Sequence, residues 1–130
     1  MHAGNVELIE ILLDFGADVN AINDMNQTAL MFAAEGGQDE AFFTLLRHGA
    51  ELDHQINGID DLWHKGWTAL MFAVRRNDYV VALLEQGVDP NIKSANGKTA
   101  LHFALYYDQP GVVSTLCAWP TVLDKTGCPQ

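Results

Sequence analysis

A seven-residue phrase that occurs three times constrains the fold of this chain more than any other feature. The copies are TALMFAA at 28–34, TALMFAV at 68–74 and TALHFAL at 99–105. In each copy the leucine and the second alanine are three residues apart and therefore share one face of a helix. The opening threonine suits a helix start, because its hydroxyl can accept a hydrogen bond from a backbone N–H of the first turn. The phrase predicts three short helices that pack in equivalent ways.

A second phrase follows a Leu-Leu pair each time and marks the end of another helix. It reads GADVN at 16–20, GAELD at 49–53 and GVDPN at 87–91. The glycine suits the left-handed backbone conformation that ends many helices. Gly16 and Gly49 are 33 residues apart, and self-similarity at a period of this size indicates a repeat protein.

The T-x-L-x-x-A phrase and its period resemble the ankyrin-repeat family from about Gly4 to about Pro120. The resemblance implies an all-α fold, a solenoid of stacked antiparallel helix pairs with β-turn fingers. A unit this short cannot bury its apolar face alone, so neighbouring repeats complete the core. Because Phe32, Phe72 and Phe103 recur at one position, we expect them to stack as a buried ladder.

The resemblance implies a single ankyrin-repeat domain over 1–130, with the following division. A half repeat occupies 4–22, full repeats occupy 23–53, 54–91 and 92–120, and a tail occupies 121–130. The half repeat lacks its first helix, so we expect an uncapped apolar surface at the N-terminal end that could support self-association. The tail has little apolar content, and we expect it to fray or to lie along the last helix.

Two changes of length interrupt the period. Thr28 and Thr68 are 40 residues apart, which places an insertion of seven residues at about 56–62 and predicts an enlarged finger. Apolar residues recur through this finger at near-helical spacing, from Ile56 to Trp63. The second full repeat is also two residues shorter than the first. We place that loss around 77–79, in the connector or in the first turn of the second helix.

Composition and charge exclude several classes of function. The net charge of −10 argues against binding to nucleic acid or to anionic membranes. No apolar run has transmembrane length, and the N-terminus shows no signal peptide. Cys117 lies in an apolar pattern and Cys128 in the polar tail, and we interpret both as free thiols because two cysteines are too few for a disulfide framework. Together these features predict a cytoplasmic, intracellular protein.

Catalytic and metal chemistry have little support. The insertion and its flanks hold two histidines and two aspartates, whose spacing matches no zinc or calcium pattern; they are His54, Asp60, Asp61 and His64. No nucleophile motif or phosphate-binding loop is present, so we predict neither an enzyme nor a cofactor. The family usually has histidine at the position of His102, which implies a hydrogen bond within the repeat.

The resemblance also implies a binding surface, because ankyrin repeats bind partners through the finger tips and the exposed part of the first helix and its connector. Five of the seven basic residues lie between Lys65 and Lys98, and all five match such positions. Trp67 matches one of these positions, so we expect it to be exposed, and tryptophan and tyrosine are types favoured in binding hot spots. The predicted partner-binding residues are Asp24, Met25, Glu35, Ile59, Trp63, His64, Lys65, Trp67, Arg75, Arg76, Lys93, Asn96, Lys98, Tyr106 and Tyr107.

The predicted function is a non-catalytic protein–protein interaction module that binds a partner protein or peptide on its concave face and fingers. Since basic residues gather there in an otherwise acidic chain, we expect the partner to present an acidic segment to the second and third repeats. A rival account is that the apolar finger at 56–63 anchors the partner. The alternative function is a structural or regulatory segment of a longer ankyrin protein that packs against a neighbouring domain or self-associates.

Overall fold

A computed structural model describes residues 18–22, 26–57 and 64–128 of the chain. The first helices of the three repeats pack in one row, and each packs against its own second helix through a short connector that makes the pair antiparallel. No strand occurs in these ranges, where a single isolated bridge joins Ile22 and Thr28. The predicted all-α solenoid is confirmed. Its helices are α1 (Ala29–Gly36), α2 (Asp39–Arg47), α3 (Ala69–Phe72), α4 (Asn77–Glu85), α5 (Ala100–Tyr106) and α6 (Pro110–Ala118).

Threonine caps begin the first helix of every repeat, as the sequence predicts. The Thr28 and Thr68 hydroxyls each accept a hydrogen bond from the backbone N–H three residues on, at 3.2 and 3.4 Å. Thr99 forms a capping box with His102, whose Nδ1 accepts a hydrogen bond from the Thr99 backbone N–H at 2.9 Å. The predicted role of His102 within its repeat is therefore confirmed.

The second phrase ends the second helices and ties each repeat to the next. Gly49 and Gly87 follow α2 and α4 with φ of 77° and 94°, the left-handed conformation expected of them. The last residue of each phrase accepts a hydrogen bond from a backbone N–H of the following repeat or, for the last phrase, of the tail. These bonds join Asn20 to Glu51 at 2.5 Å, Asp53 to Asp89 at 3.0 Å and Asn91 to Leu123 at 2.9 Å.

The aromatic ladder differs from the prediction at its first member. Phe72 and Phe103 are buried, and the ring of Trp67 lies between them, 5.0 Å from one and 4.5 Å from the other. Phe32, however, is 51% exposed, so its predicted place in a buried ladder is wrong. Trp67, which precedes the second capping threonine, covers both buried phenylalanines, whereas Gln27 occupies the equivalent position in the first repeat.

The second helices are joined by a different pair of rings. Phe42 of α2 and Tyr79 of α4 are both fully buried, and their rings stack at a centroid distance of 4.0 Å. The Tyr79 hydroxyl donates a hydrogen bond to the carboxylate of Asp39. That carboxylate also forms an ion pair with Arg76 at 2.9 Å. A stack and a charged cluster therefore link the first and second full repeats.

The two missing residues of the second repeat lie before its second helix, since nine positions separate Thr68 from Asn77 where eleven separate Thr28 from Asp39. α3 has four residues where α1 has eight, whereas α4 has the same nine residues as α2. The loss therefore lies before Asn77, which excludes the first turn of the second helix and leaves the connector, the other place that the sequence allowed. α4 buries Tyr79, Val80, Leu83 and Leu84 along its full length, so a shorter α4 would lose core contacts. The turn after α3 still buries Val74.

The base of the enlarged finger is part of the core. Ile56 is fully buried, and its backbone pairs with Gly66 and Trp67 through hydrogen bonds of 2.7 and 3.0 Å. The rival account of an apolar finger as partner anchor is thus wrong at Ile56, whose side chain has no accessible surface. Gly66 has φ of 80°, and a Cβ there would lie 2.6 Å from the Ala95 backbone nitrogen of the next finger.

The tail lies along the last repeat and is covalently attached to it. Cys117 of α6 and Cys128 form a disulfide, with their Cα atoms 5.8 Å apart, so the interpretation of both as free thiols is wrong. The tail reaches α6 because Gly127 passes directly against Leu105, which a Cβ at that glycine would approach to 2.7 Å. Disulfides persist mainly in oxidising compartments. The cysteines therefore give no support to a cytoplasmic location, which stays a prediction. None of the helices in the described ranges has the length and apolar character needed to cross a membrane.

Candidate binding groove

A cavity of about 280 Å³ opens along the row of first helices, and we call it the central groove. The end of α1, the second finger, α3 with its following turn, and the residue after α5 all contribute to its walls. Side chains from three repeats therefore meet at one cavity. Six predicted binding residues line it: Glu35, His64, Trp67, Arg75, Arg76 and Tyr107.

The floor of the groove is aromatic. Trp67 is only 3% exposed, so the expectation of an exposed tryptophan is wrong. The finger turns Trp67 inward, because its backbone N–H bonds to the His64 carbonyl at 3.0 Å and its carbonyl accepts from Ile56. The His64 ring packs beside Trp67, with their ring centroids 4.6 Å apart, and it stacks on Phe72 at a centroid distance of 5.5 Å. Trp67 therefore forms part of the floor of the groove and presents no exposed ring face to a partner.

Arg75 provides the exposed cation of the groove. Its guanidinium lies over the ring of Tyr107 at 4.4 Å, within cation–π range, while the residue as a whole remains exposed. No acidic side chain in the described ranges forms an ion pair with it. The stacking limits the rotamers of a long side chain, so a ligand pays less entropy to order it.

Arg76, the next residue in sequence, already forms ion pairs with acidic side chains of this chain. It pairs with Asp39 at 2.9 Å and with Asp78 at 3.5 Å, and its guanidinium lies over the Tyr79 ring at 4.6 Å. The hydrogen bond from Tyr79 and the charge of Arg76 lower the pKa of Asp39. Burial, followed by the contact with Asp39, raises the pKa of Tyr79. The main role of Arg76 in this geometry is to link two repeats.

Lys65 and Lys93 lie on neighbouring fingers and do not line the central groove. Both side chains are exposed, as predicted. The fingers are held together by backbone contacts, since the Ala95 N–H donates to the Lys65 carbonyl at 3.0 Å. Gln55 donates to the Lys93 carbonyl at 2.8 Å. Two exposed lysines thus lie on neighbouring fingers that are joined through their backbones.

A second cavity of about 500 Å³ lies on the third repeat, and we call it the terminal pocket. It brings together three predicted residues and three that the sequence did not single out for binding. Phe103 was assigned to the core and His102 to a hydrogen bond within its repeat, while Leu105 carried no signal beyond its place in the repeat phrase. The lining residues are Asn96, Lys98, His102, Phe103, Leu105 and Tyr106.

Four predicted binding residues cannot be placed on this surface. Asp24 and Met25 of the first finger, and Ile59 and Trp63 of the enlarged finger, lie outside the described residues. Phe72 was missed as a groove residue, although it lines the cavity. Its position in the repeat phrase indicated only packing, and α3 ends directly after it.

Stacked helix pairs with short connectors, a shared core and a cavity along the first helices define a helical repeat solenoid. The chain matches the family model described as "Ankyrin repeats (3 copies)" over residues 1–56 and 52–125. It belongs to the ankyrin-repeat family. Repeats of this family generally mediate protein–protein interaction and are generally not enzymes.

Curated proteins with similar sequences are much longer than this chain. A putative ankyrin repeat-containing protein of Treponema pallidum is 37% identical over 105 residues, which cover 78% of this chain and 33% of that protein. Ankyrin repeat and SAM domain-containing protein 6 of Rattus norvegicus is 37% identical over 113 residues, 85% of this chain and 12% of that one. NF-kappa-B inhibitor delta of Mus musculus is 33% identical over 88 residues, 66% of this chain and 25% of that one. The chain thus spans about a third or less of the length of these relatives.

Proposed function

We propose that the chain is a non-catalytic interaction module that binds an acidic segment of a partner protein in the central groove. The observation that carries this proposal is Arg75, exposed at the groove, stacked on Tyr107 and in no ion pair with a described residue. An arginine held in this way can bind a carboxylate through two parallel hydrogen bonds. The membership in a family of interaction modules supports the same function.

The charges around the groove refine the position of the acidic segment. Glu35 lines the cavity on the first repeat, so a partner carboxylate is expected on the opposite side, next to Arg75. Lys65 and Lys93 on the fingers are exposed and contribute mainly to the association rate and its salt dependence. Arg76 contributes by holding the repeats together, because Asp39 and Asp78 already neutralise it.

Selection of peptides on the full chain tests this proposal without a known partner. Random dodecapeptides displayed on phage are selected against the wild type, and the affinities of synthetic versions are measured. We expect the selected peptides to carry Asp or Glu and to bind Arg75→Glu at least tenfold more weakly at low salt, a loss of about 1.4 kcal/mol. The matched control is Arg47→Glu, since Arg47 lies on α2 beside a separate cavity. Selected peptides that bind Arg75→Glu as tightly as the wild type would overturn the proposal.

The alternative, a segment that packs against a neighbouring domain or a second copy, has one observation in its favour. The relatives are at least about three times longer than the matched region. The N-terminal surface that self-association would use falls within residues 1–17, outside the described ranges. Sedimentation of the isolated chain over a range of concentrations separates the two functions. Association that grows with concentration favours the alternative, and a constant monomer favours the module.

A further inference from the structure

We propose that the terminal pocket binds a large apolar side chain of the partner segment, and that Lys98 holds a carboxylate next to that side chain. The inference rests on the proposed function, because it adds a second contact for the segment that Arg75 holds. It commits to one occupant: an internal stretch of another protein in which an aromatic or long aliphatic residue is adjacent to Asp or Glu.

The walls of the pocket are apolar and accessible. Phe103 is buried beneath it, whereas Leu105 is 37% exposed and Tyr106 is 71% exposed. Large apolar side chains exposed side by side around a cavity are typical of interaction sites. The volume of about 500 Å³ falls within the range of about 300–1,000 Å³ found for ligand pockets. An aromatic or long aliphatic side chain can therefore be accommodated and largely desolvated.

The charge at the rim of the pocket determines which kind of partner residue is favoured next to the bound apolar side chain. Lys98 is exposed, and its backbone is fixed by hydrogen bonds with Ser94 at 2.8 and 3.3 Å. No carboxylate lines the pocket, and Lys98 forms no ion pair with the described part of the chain. Asp124 approaches from the side of His102, 3.9 Å from its Nε2, and accepts hydrogen bonds from Thr126. A partner carboxylate at Lys98 is thus favoured by charge complementarity.

One segment can reach both cavities, because aromatic contacts connect them. The Tyr106 ring at the pocket lies 5.2 Å from the Tyr107 ring, on which the Arg75 guanidinium stacks. Beneath the surface, Phe103 lies 4.5 Å from Trp67 at the floor of the groove. The pocket therefore continues the surface of the central groove toward the last repeat. An acidic residue at Arg75 and an apolar residue in the pocket can belong to the same stretch of chain.

Titration of the ¹⁵N-labelled full chain with capped dipeptides tests the pocket directly. The probes are acetyl-Phe-Glu-amide, acetyl-Phe-Gln-amide and acetyl-Ala-Glu-amide. We expect the first to shift the backbone amide signals of 96–98 and 105–107 saturably. It should bind at least threefold more tightly than the glutamine probe and at least tenfold more tightly than the alanine probe. No saturable shift in these amides would overturn the inference, whatever the result for Arg75→Glu.

Variants extend the test to the longer peptides selected on the groove. Lys98→Glu and Tyr106→Ala change exposed side chains, and each should weaken the phenylalanine–glutamate probe and those peptides at least threefold. The control Leu123→Ala, a largely exposed leucine outside the pocket, should leave both unchanged. Loss of binding with Arg75→Glu alone would keep the proposed function and overturn the pocket.

Two further results would reassign the pocket. Dimerisation of the chain that Tyr106→Ala abolishes would make a second copy the occupant. Tighter binding of acetyl-phenylalanine, with its free terminal carboxylate, than of acetyl-Phe-Glu-amide would make a chain terminus the occupant. Either result overturns the internal acidic segment as the ligand.

Discussion

Replacing Tyr79 by phenylalanine is the sharpest test of how the first and second full repeats are joined. The substitution keeps the buried ring and its 4.0 Å stack on Phe42, and it removes only the hydroxyl that donates to Asp39. No cavity forms, and no buried donor is left without a partner. The change in the free energy of unfolding therefore reports the hydrogen bond itself.

The size of the effect follows from the environment of Asp39. A hydrogen bond to a charged group contributes about 1.5–3 kcal/mol. The Asp39 side chain is 56% exposed and keeps its ion pair with Arg76, so water and the arginine replace part of the lost contact. We expect Tyr79→Phe to lower the free energy of unfolding by about 1.5 kcal/mol at pH 7, the lower end of that range. Urea melts followed by tryptophan fluorescence measure it.

The pH dependence of this difference gives an independent check with a defined sign. The pKa of Asp39 is lowered in the folded state, so its contribution is present above about pH 4, its unfolded pKa, and declines as the pH falls through the folded value. The pKa of Tyr79 is raised. Its contribution is complete below about pH 10, the unfolded pKa, and declines at higher pH. The difference between wild type and Tyr79→Phe should therefore be largest between these limits.

Tyr106→Phe is the matched control, since it removes a hydroxyl from a tyrosine that is 71% exposed; it should lie within about 0.5 kcal/mol of the wild type. A double-mutant cycle with Asp39→Asn should show a coupling free energy above about 0.5 kcal/mol. Equal stability of Tyr79→Phe and wild type at pH 7, or a difference that does not fall as the pH is lowered progressively below about 4, would refute the reasoning.

Three other perturbations test separate parts of the fold by urea melts. Phe72→Ala should cost about 3–5 kcal/mol, as for other buried phenylalanines, whereas Phe32→Ala should cost less than half as much because Phe32 is half exposed; equal losses would contradict the asymmetric ladder. Gly66→Ala should cost more than about 1 kcal/mol, since its φ is positive and the next finger's backbone blocks a Cβ; a neutral result would contradict the finger geometry. Reduction of the Cys117–Cys128 disulfide should cost about 3 kcal/mol for an 11-residue separation, and unchanged amide exchange at 119–128 would contradict an attached tail.

Features set by local chemistry could be predicted from the sequence. A threonine before an apolar turn satisfies orphan N–H groups wherever it occurs, so three caps followed from three copies of one phrase. Gly49 was equally predictable, because a left-handed residue after a helix favours glycine. Recurrence made these predictions secure. The same local solution appeared at each repeat, and each copy supported the others.

Features that depend on a residue from another element could not be predicted in the same way. Tryptophan is a type favoured in binding hot spots, yet the finger places the Trp67 ring between Phe72 and Phe103. The prediction of free thiols failed for a similar reason, since the path of the tail past Leu105 brings Cys128 to α6. Neither the contacts of Trp67 nor the approach of Cys128 to α6 can be read from spacing along the chain. Both errors concern side chains whose partners lie in a different repeat unit or beyond its last helix.

Arg75 and Arg76 carry the same signal in the sequence and have different roles in the structure. α3 ends at Phe72, so the following turn directs one arginine over Tyr107 and the next toward Asp39 of the first repeat. Were α3 as long as α1, both positions would lie within a helix. With α3 ending at Phe72, Arg75 remains available to a ligand and Arg76 is paired with the first repeat. A double charge reversal at both positions would confound binding with the link between repeats, so only Arg75→Glu alone tests the site.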